Sequence, residues 1–219
     1  IETVTLRTLP QRRERQSTGN RFKRGGFVGL TISKEAVAEL PSEVFAGKTI
    51  VVDHESEVEK AVADLMKHSR LGFDTETKPA FKRGQTHKVA LMQLSTMEVC
   101  YLFRLNKIGY PNELDEIICN PDIKKIGLSL RDDFAAIRKR SDKKPQNFID
   151  LQSFVDEYDI DDNGLQRIYA ILFGKKISKN QRLSNWEASV LSEAQKNYAA
   201  MDAWACLRIY NHLISNGSE

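Results

Sequence analysis

Two carboxylates two positions apart on an extended segment project from the same face. The stretch Leu71-Gly72-Phe73-Asp74-Thr75-Glu76-Thr77 supplies such a pair in Asp74 and Glu76. The chemistry open to it is the binding of a hard cation through oxygen. Leu71-Gly72-Phe73 is a short apolar run of the kind a buried strand shows, so the acids are expected at the strand's carboxyl end, where open α/β sheets usually carry their sites. A second group lies on a helical stretch: Tyr198 and Asp202 are four apart and share one face, which Ala205 and Ile209 continue. A carboxylate at the end of a buried face needs a counter-charge or a metal, because burying it alone costs several kcal/mol. A third acid sits where Gly127 to Phe134 passes from strand to helix. Asp132 shares a helical face with Ala136 and Arg140, and Asp133 with Ile137, so Asp133 is the one expected to point inward. For each residue taken alone, a structural role such as a charge at a helix start or a satisfied hydrogen bond competes with the functional one.

The elements that must position these groups can be read along the chain. Ser33 can cap a short helix, Lys34 to Leu40, stopped by Pro41, and Thr49 to Asp53 has the β-branched enrichment of a strand. Val58, Ala61, Val62, Leu65 and Met66 give Glu55 to His68 helical spacing, and the Asp74 strand follows. Val89 to Ser95 and Val99 to Phe103 flank a short turn and predict a hairpin alongside that strand. Asn112 can cap a helix to Cys119. Lys125 to Leu128 reads as a strand before a helix through Arg138, and Asn147 to Leu151 as another strand. The remainder is mainly helical: Leu151 to Tyr158, Leu165 to Phe173 ending at Gly174, and a long helix from about Ser192 to Ile214.

At 219 residues with 41% hydrophobic content, one domain with a sizeable core accounts for the whole chain. Residues 1–26 hold seven Lys or Arg against Glu2 and Glu14, a surplus of five positive charges, whereas the net charge of the chain is +3. The body is therefore slightly acidic and the start is a basic, flexible arm, with residues 27–219 forming the domain. The arm could touch phosphate or could be a solvated leader. Cys100, Cys119 and Cys206 are widely spaced and odd in number, which fits neither a disulfide framework nor a cysteine zinc site. No apolar run approaches the roughly 18 residues of a membrane span, so a soluble cytoplasmic protein in a reducing compartment is the expectation.

In their order along the chain, Phe73-Asp74-Thr75-Glu76-Thr77, the segment Gly127 to Asp133, and Tyr198-Ala199-Ala200-Met201-Asp202 resemble the three exonuclease motifs of the DEDDy 3′–5′ exonucleases. The likeness covers roughly residues 49–214 and is strongest to the ribonuclease D and Werner-type branch, to which Leu183-Ser184-Asn185-Trp186 also points. It implies an α/β fold, a ribonuclease H-like mixed β-sheet flanked by helices. It assigns Asp74, Glu76, Asp133 and Asp202 to two divalent metal ions, Mg2+ or Mn2+, and Tyr198 to the attacking water. The spacing of six residues beyond Gly127 favours Asp133 over Asp132. The related DEDDh group has a histidine five residues before its last Asp; Asn197 stands there, so the chain is of the tyrosine type.

Phosphodiester hydrolysis builds charge on the attacking and leaving oxygens at once, and two metals about 3.5–4 Å apart can stabilise both. Four carboxylates from separate elements meet that demand. A tyrosine hydroxyl, with an ordinary pKa near 10, is a poor base and suits the orientation of a water. The resemblance further places Phe73, Thr75, Met92 and Gln93 near the terminal base, and Lys88, Arg182 and Trp186 are candidate strand contacts. Lys78, Lys82 and Arg83 around the first motif, and Lys175, Lys176 and Lys179 before the last, could line a groove or be ordinary solvated charge.

The leading reading is a metal-dependent 3′–5′ exonuclease acting on a single-stranded or recessed 3′ end of DNA or RNA. A non-catalytic nucleic-acid-binding or scaffolding domain is the alternative, and a phosphoesterase acting on free nucleotides is a third. Retention of all four acids and the tyrosine favours the enzyme, and the basic groups favour a polymer. No membrane is implied, and no protein partner is indicated by any motif.

Overall fold

The computed structural model describes residues 29–216. Six strands, β1 (Lys48–Val52), β2 (Arg70–Thr77), β3 (Val89–Ser95), β4 (Val99–Phe103), β5 (Lys124–Gly127) and β6 (Phe148–Asp150), form one sheet in the order β1-β4-β3-β2-β5-β6. β3 runs antiparallel to both of its neighbours, β2 and β4, whereas β1 pairs parallel with β4, β5 with β2, and β6 with β5. The helices are α1 (Lys34–Glu39), α2 (Val58–Leu65), α3 (Leu105–Ile108), α4 (Glu113–Ile118), α5 (Arg131–Ile137), α6 (Leu151–Phe154), α7 (Leu165–Phe173) and α8 (Glu193–Asn216). This is the ribonuclease H-like mixed sheet flanked by helices.

Each face of the sheet carries its own apolar layer. One contains Leu91, Leu102 and Ile126 under residues of α6, α7 and α8. The other contains Leu71, Phe73, Met92 and Leu94 with residues of α2 and α4 and with Ile137 of α5. Covering both faces explains why β3 is buried at every position and reads in sequence as a continuous apolar run. α8 lies close over β2: a Cβ on Gly72 would stand 1.9 Å from the Ala203 carbonyl oxygen, so only glycine permits the approach. The α8 residues Ala199, Ala203 and Ala205 are fully buried small side chains that allow it from the other side.

Several expectations differ in detail. The helix foreseen over 55–68 begins as a 3-10 turn at Glu55–Glu57, where the Glu57 carboxylate accepts the N–H groups of Asp53 and His54, both at 3.3 Å, and α2 follows. The segment 151–158 divides into α6 and a 3-10 turn at Val155–Tyr158. Ser33 caps α1 through its hydroxyl, 3.1 Å from the Ala36 N–H, whereas Asn112 makes no side-chain cap. α3 is too short for its periodicity to show. Residues 1–26, read as an arm, lie outside the described residues, as do 27 and 28. Cys100 and Cys206 are buried free thiols and Cys119 is half-buried. Among the described residues no helix is long and apolar enough to cross a membrane.

Candidate metal and catalytic site

β2 delivers two of the acids. Asp74 stands opposite Gln93 and Glu76 opposite Leu91 in the β2–β3 register, and a bulge follows between Glu76 and Thr77. β5 pairs with β2 only from Arg70 to Gly72, so on that side Asp74 to Thr77 have no strand neighbour. The turn into α5 departs from the end of β5. Ser129 takes a left-handed conformation there (φ 59°), and the Asp150 carboxylate accepts the N–H groups of Ser129 and Leu130, both at 3.0 Å. These are N–H groups that a helix start leaves without intrahelical partners. Asp133, in the first turn of α5, accepts a hydrogen bond from the Thr75 hydroxyl, so the residue between the two β2 acids also holds the third. Asp133 is half-buried and Asp132 exposed, which is the choice the helical spacing indicated.

α8 delivers the fourth acid. It starts with a reciprocal cap: Gln195 N–H donates to Ser192 Oγ at 3.2 Å, and Ser192 N–H donates to Gln195 Oε1 at 3.0 Å. The Gln195 amide also donates to Ser184 Oγ and to the Asn185 carbonyl, tying the preceding turn to the helix. Trp186 from that turn packs behind Tyr198, ring centroids 5.9 Å apart. Because α8 rides close over Gly72, Asp202 reaches the β2 acids: carboxylate oxygens of Asp74, Glu76 and Asp202 all lie within 4.8 Å of one another. Tyr198 hydrogen-bonds Asp202.

The electrostatics follow from packing like charges into a half-dry site. Burial, then Asp202 and Asp133, drives the Asp74 carboxyl well above the usual range. Glu76 is pushed to about 10 by burial and by the neighbouring Asp74. Asp202 is raised to about 7 by burial, against the Tyr198 hydrogen bond and the charge of Lys179. Burial raises Asp133 as well, opposed by its bond from Thr75. Tyr198 is pushed far up by burial and then by Asp202 and Glu76, so its hydroxyl stays protonated at neutral pH. An all-oxygen donor set of mutually repelling acids fits a hard divalent cation and no soft one.

A prediction follows with a definite sign. Raised folded pKa values mean that stability is fully present below the unfolded value near 4 and is lost as pH rises through about 7 for Asp202. The metal-free protein is thus on the order of a few kcal/mol short of stability at pH 8. Millimolar Mg2+ or Mn2+ is expected to raise the melting temperature by about 5–10 °C at pH 8 and far less at pH 5. Equal shifts at the two pH values, followed by circular dichroism, contradict the coupling.

The substrate contacts read from sequence fare differently. Phe73, Met92, Gln93 and Trp186, expected near the terminal base or as a strand contact, are each 0% exposed, so their side chains are packed inside the fold. Phe73 meets Phe148 edge-on at 5.1 Å, Met92 joins the α2–α4 layer, and Trp186 supports Tyr198. The Gln93 amide is buried opposite Asp74 with no protein partner among the described residues. Thr75 is engaged with Asp133. Lys88 and Arg182 are exposed, and Lys88 lines a cavity together with Asp133. Lys175 pairs with Glu43 at 2.8 Å and Lys176 donates to the Ala38 carbonyl, so these two hold the fold together. Glu187 and Asp150 escaped the sequence reading because their partners, Lys78 and His87 for one and Ser129 and Leu130 for the other, are distant in the chain.

The model of the 3′–5′ exonuclease family matches residues 49–217. A mouse (Mus musculus) protein, the bifunctional 3′-5′ exonuclease/ATP-dependent helicase WRN, is 34% identical over 149 residues, 65% of this chain. The chain spans 11% of that relative's length. Among solved structures, the EXO domain of Aedes aegypti Nibbler superposes with a TM-score of 0.71 at 23% identity, covering 80% of this chain and 92% of that one. Trypanosoma brucei RNase D, in complex with RNA U12, gives 0.69 at 19% identity, covering 80% and 65%.

Proposed function

The chain belongs to the 3′–5′ exonuclease family, in its DEDDy branch with ribonuclease D and the Werner-type exonucleases, and from that premise we propose that it removes nucleotides one at a time from the 3′ end of a DNA or RNA strand. The observation that carries this reading is the convergence of Asp74, Glu76 and Asp202 within 4.8 Å, with Tyr198 hydrogen-bonded to Asp202 and Asp133 held by the hydroxyl of Thr75 between the two β2 acids. Asp74, Glu76, Asp133 and Asp202 are the residues to hold two divalent ions, Mg2+ or Mn2+. Bound there, such ions neutralise charge on the attacked phosphate and lower the pKa of a water.

The remaining work belongs to the chain. Tyr198, protonated and tied to Asp202, presents a fixed hydroxyl that orients the attacking water and does not take its proton. Trp186 fixes the ring from behind. Water attack on phosphorus breaks the P–O3′ bond and yields a nucleoside 5′-monophosphate and a strand with a new 3′-hydroxyl. Lys179, whose charge acts on Asp202, stands beside the site as a basic group for the strand. Retention of every acid speaks against a scaffolding domain that has lost turnover.

The direct test uses 5′-labelled single-stranded DNA, the equivalent RNA and a recessed duplex, each with Mg2+ or Mn2+. A ladder of progressively shorter products is expected; no shortening of any substrate with either metal rejects the proposal. Tyr198→Phe is expected to lower kcat roughly a hundredfold, the order found for loss of one preorganised donor. Its metal affinity, measured by calorimetry, should stay near that of the unaltered chain. Unchanged turnover in that variant removes Tyr198 from the mechanism.

A further inference from the structure

We propose that the cavity between the β2–β3 connection and α5 seats the sugar–phosphate backbone on the 5′ side of the scissile bond, a subsite that rests on the exonuclease reading. The cavity has a volume of ≈ 540 Å³, within the range of sites that hold nucleotide-sized groups. Thr75 and Asp133 line it together, so it adjoins the acid that α5 contributes to the site. Its walls carry Lys88 ahead of β3 and Lys139 and Arg140 at the end of α5, against the exposed carboxylate of Asp132. Lys88 and Lys139 are exposed and form no ion pair with an acid among the described residues. Arg140 donates one guanidinium N–H to the Val89 carbonyl at 2.6 Å, which sets the plane of the group beside the cavity.

Distance decides which phosphate these cations can serve. Asp133 is in the first turn of α5, whereas Lys139 and Arg140 follow its last residue, Ile137, so these two cations stand at the far end of the helix from the acid. A strand that ends in a free 3′-hydroxyl has no phosphate beyond the scissile one on its 3′ side. Any second phosphate is therefore upstream, and the cavity is where the chain places cations for it. The walls are also held in place. Glu187 accepts from Lys78 at 3.5 Å and pairs with His87 Nδ1 at 3.3 Å, fastening both ends of the β2–β3 connection to the segment ahead of α8. No aromatic ring lines the cavity apart from His87, so recognition is of backbone charge and not of base identity.

The test measures binding of a fluorescein-labelled oligodeoxythymidylate to metal-free protein across a salt series. The Lys88→Ala/Lys139→Ala double variant is compared with the unaltered chain, with Lys60→Ala of α2 as control. The slope of log affinity against log salt is expected to shrink by about 0.7 per lysine removed, equally for a mixed-sequence strand, with the melting temperature unchanged. An unchanged slope, or one reduced as much by Lys60→Ala, overturns the proposal. Cleavage is read separately. A shortened ladder with an unchanged slope rejects the cavity alone, whereas a lysine-dependent slope without cleavage rejects the exonuclease reading and keeps the cavity as a strand site.

Discussion

Asp74→Asn is expected to cut the rate of nucleotide removal by at least about a thousandfold and at the same time to raise the melting temperature of the metal-free protein. The first effect follows from position. Asp74 lies within 4.8 Å of Glu76 and Asp202, and an amide there removes a negative charge from the cation site. A thousandfold corresponds to roughly 4 kcal/mol of transition-state stabilisation, ordinary for one group in a concentrated electrostatic site. The second effect has the opposite sign and the same cause. Burial and the charges of Asp202 and Asp133 disfavour the Asp74 carboxylate, so a neutral residue of the same shape relieves the folded state at pH 8 and makes little difference near pH 4, where the carboxyl is already protonated. Initial rates with saturating Mg2+ and calorimetric melting at the two pH values check both halves. Activity within tenfold of the unaltered chain, or a lowered melting temperature at pH 8, contradicts the assignment.

Gly72→Ala is expected to cost at least about 3 kcal/mol, the upper end of ordinary overpacking, or roughly 6–12 °C in melting temperature. The added methyl would stand 1.9 Å from the carbonyl oxygen and 2.7 Å from the carbonyl carbon of Ala203, and both are backbone atoms that cannot rotate aside. Either α8 or β2 must retreat. Ala203 follows Asp202 directly and Gly72 precedes Asp74 by two residues, so the retreat separates the acids. A displacement near 1 Å costs about a hundredfold in rate, and the variant should lose activity even at temperatures where it remains folded. Gly164→Ala, with no atom within 4 Å of the added carbon, serves as the contrast. A melting temperature within a degree or two of the unaltered chain would falsify the close approach.

Much of this arrangement was legible in the residues because it is local. Val89 to Ser95 and Val99 to Phe103 are apolar runs that flank a short turn as in a hairpin, and they form β3 and β4 at those bounds. The preference for Asp133 over Asp132 came from helical spacing and from the motif spacing of the family resemblance. What could not be read depends on contacts distant in sequence. Phe73 directly precedes Asp74 and Met92 stands opposite Thr75 on β3, yet both turn into the opposite layer, because side chains alternate across a strand and both faces of this sheet are covered. Lys175 and Lys176 belong to a basic run in sequence, but Glu43 and the Ala38 carbonyl engage them from more than a hundred residues away. Trp186 fits either base stacking or a packed core edge in sequence, and the turn tethered by Gln195 carries it under Tyr198.

α8 follows every strand of the sheet in chain order, yet it packs on β1, β2, β3, β4 and β5 and carries both Tyr198 and Asp202. A ribosome that has released β6 has therefore produced Asp74, Glu76 and Asp133 without the helix that completes the group. The nascent sheet at that stage exposes the apolar face on which α8 later docks, a surface for chaperones while synthesis continues. It also has no competent catalytic centre. The group of acids is brought together only when the helix leaves the exit tunnel and closes over Gly72.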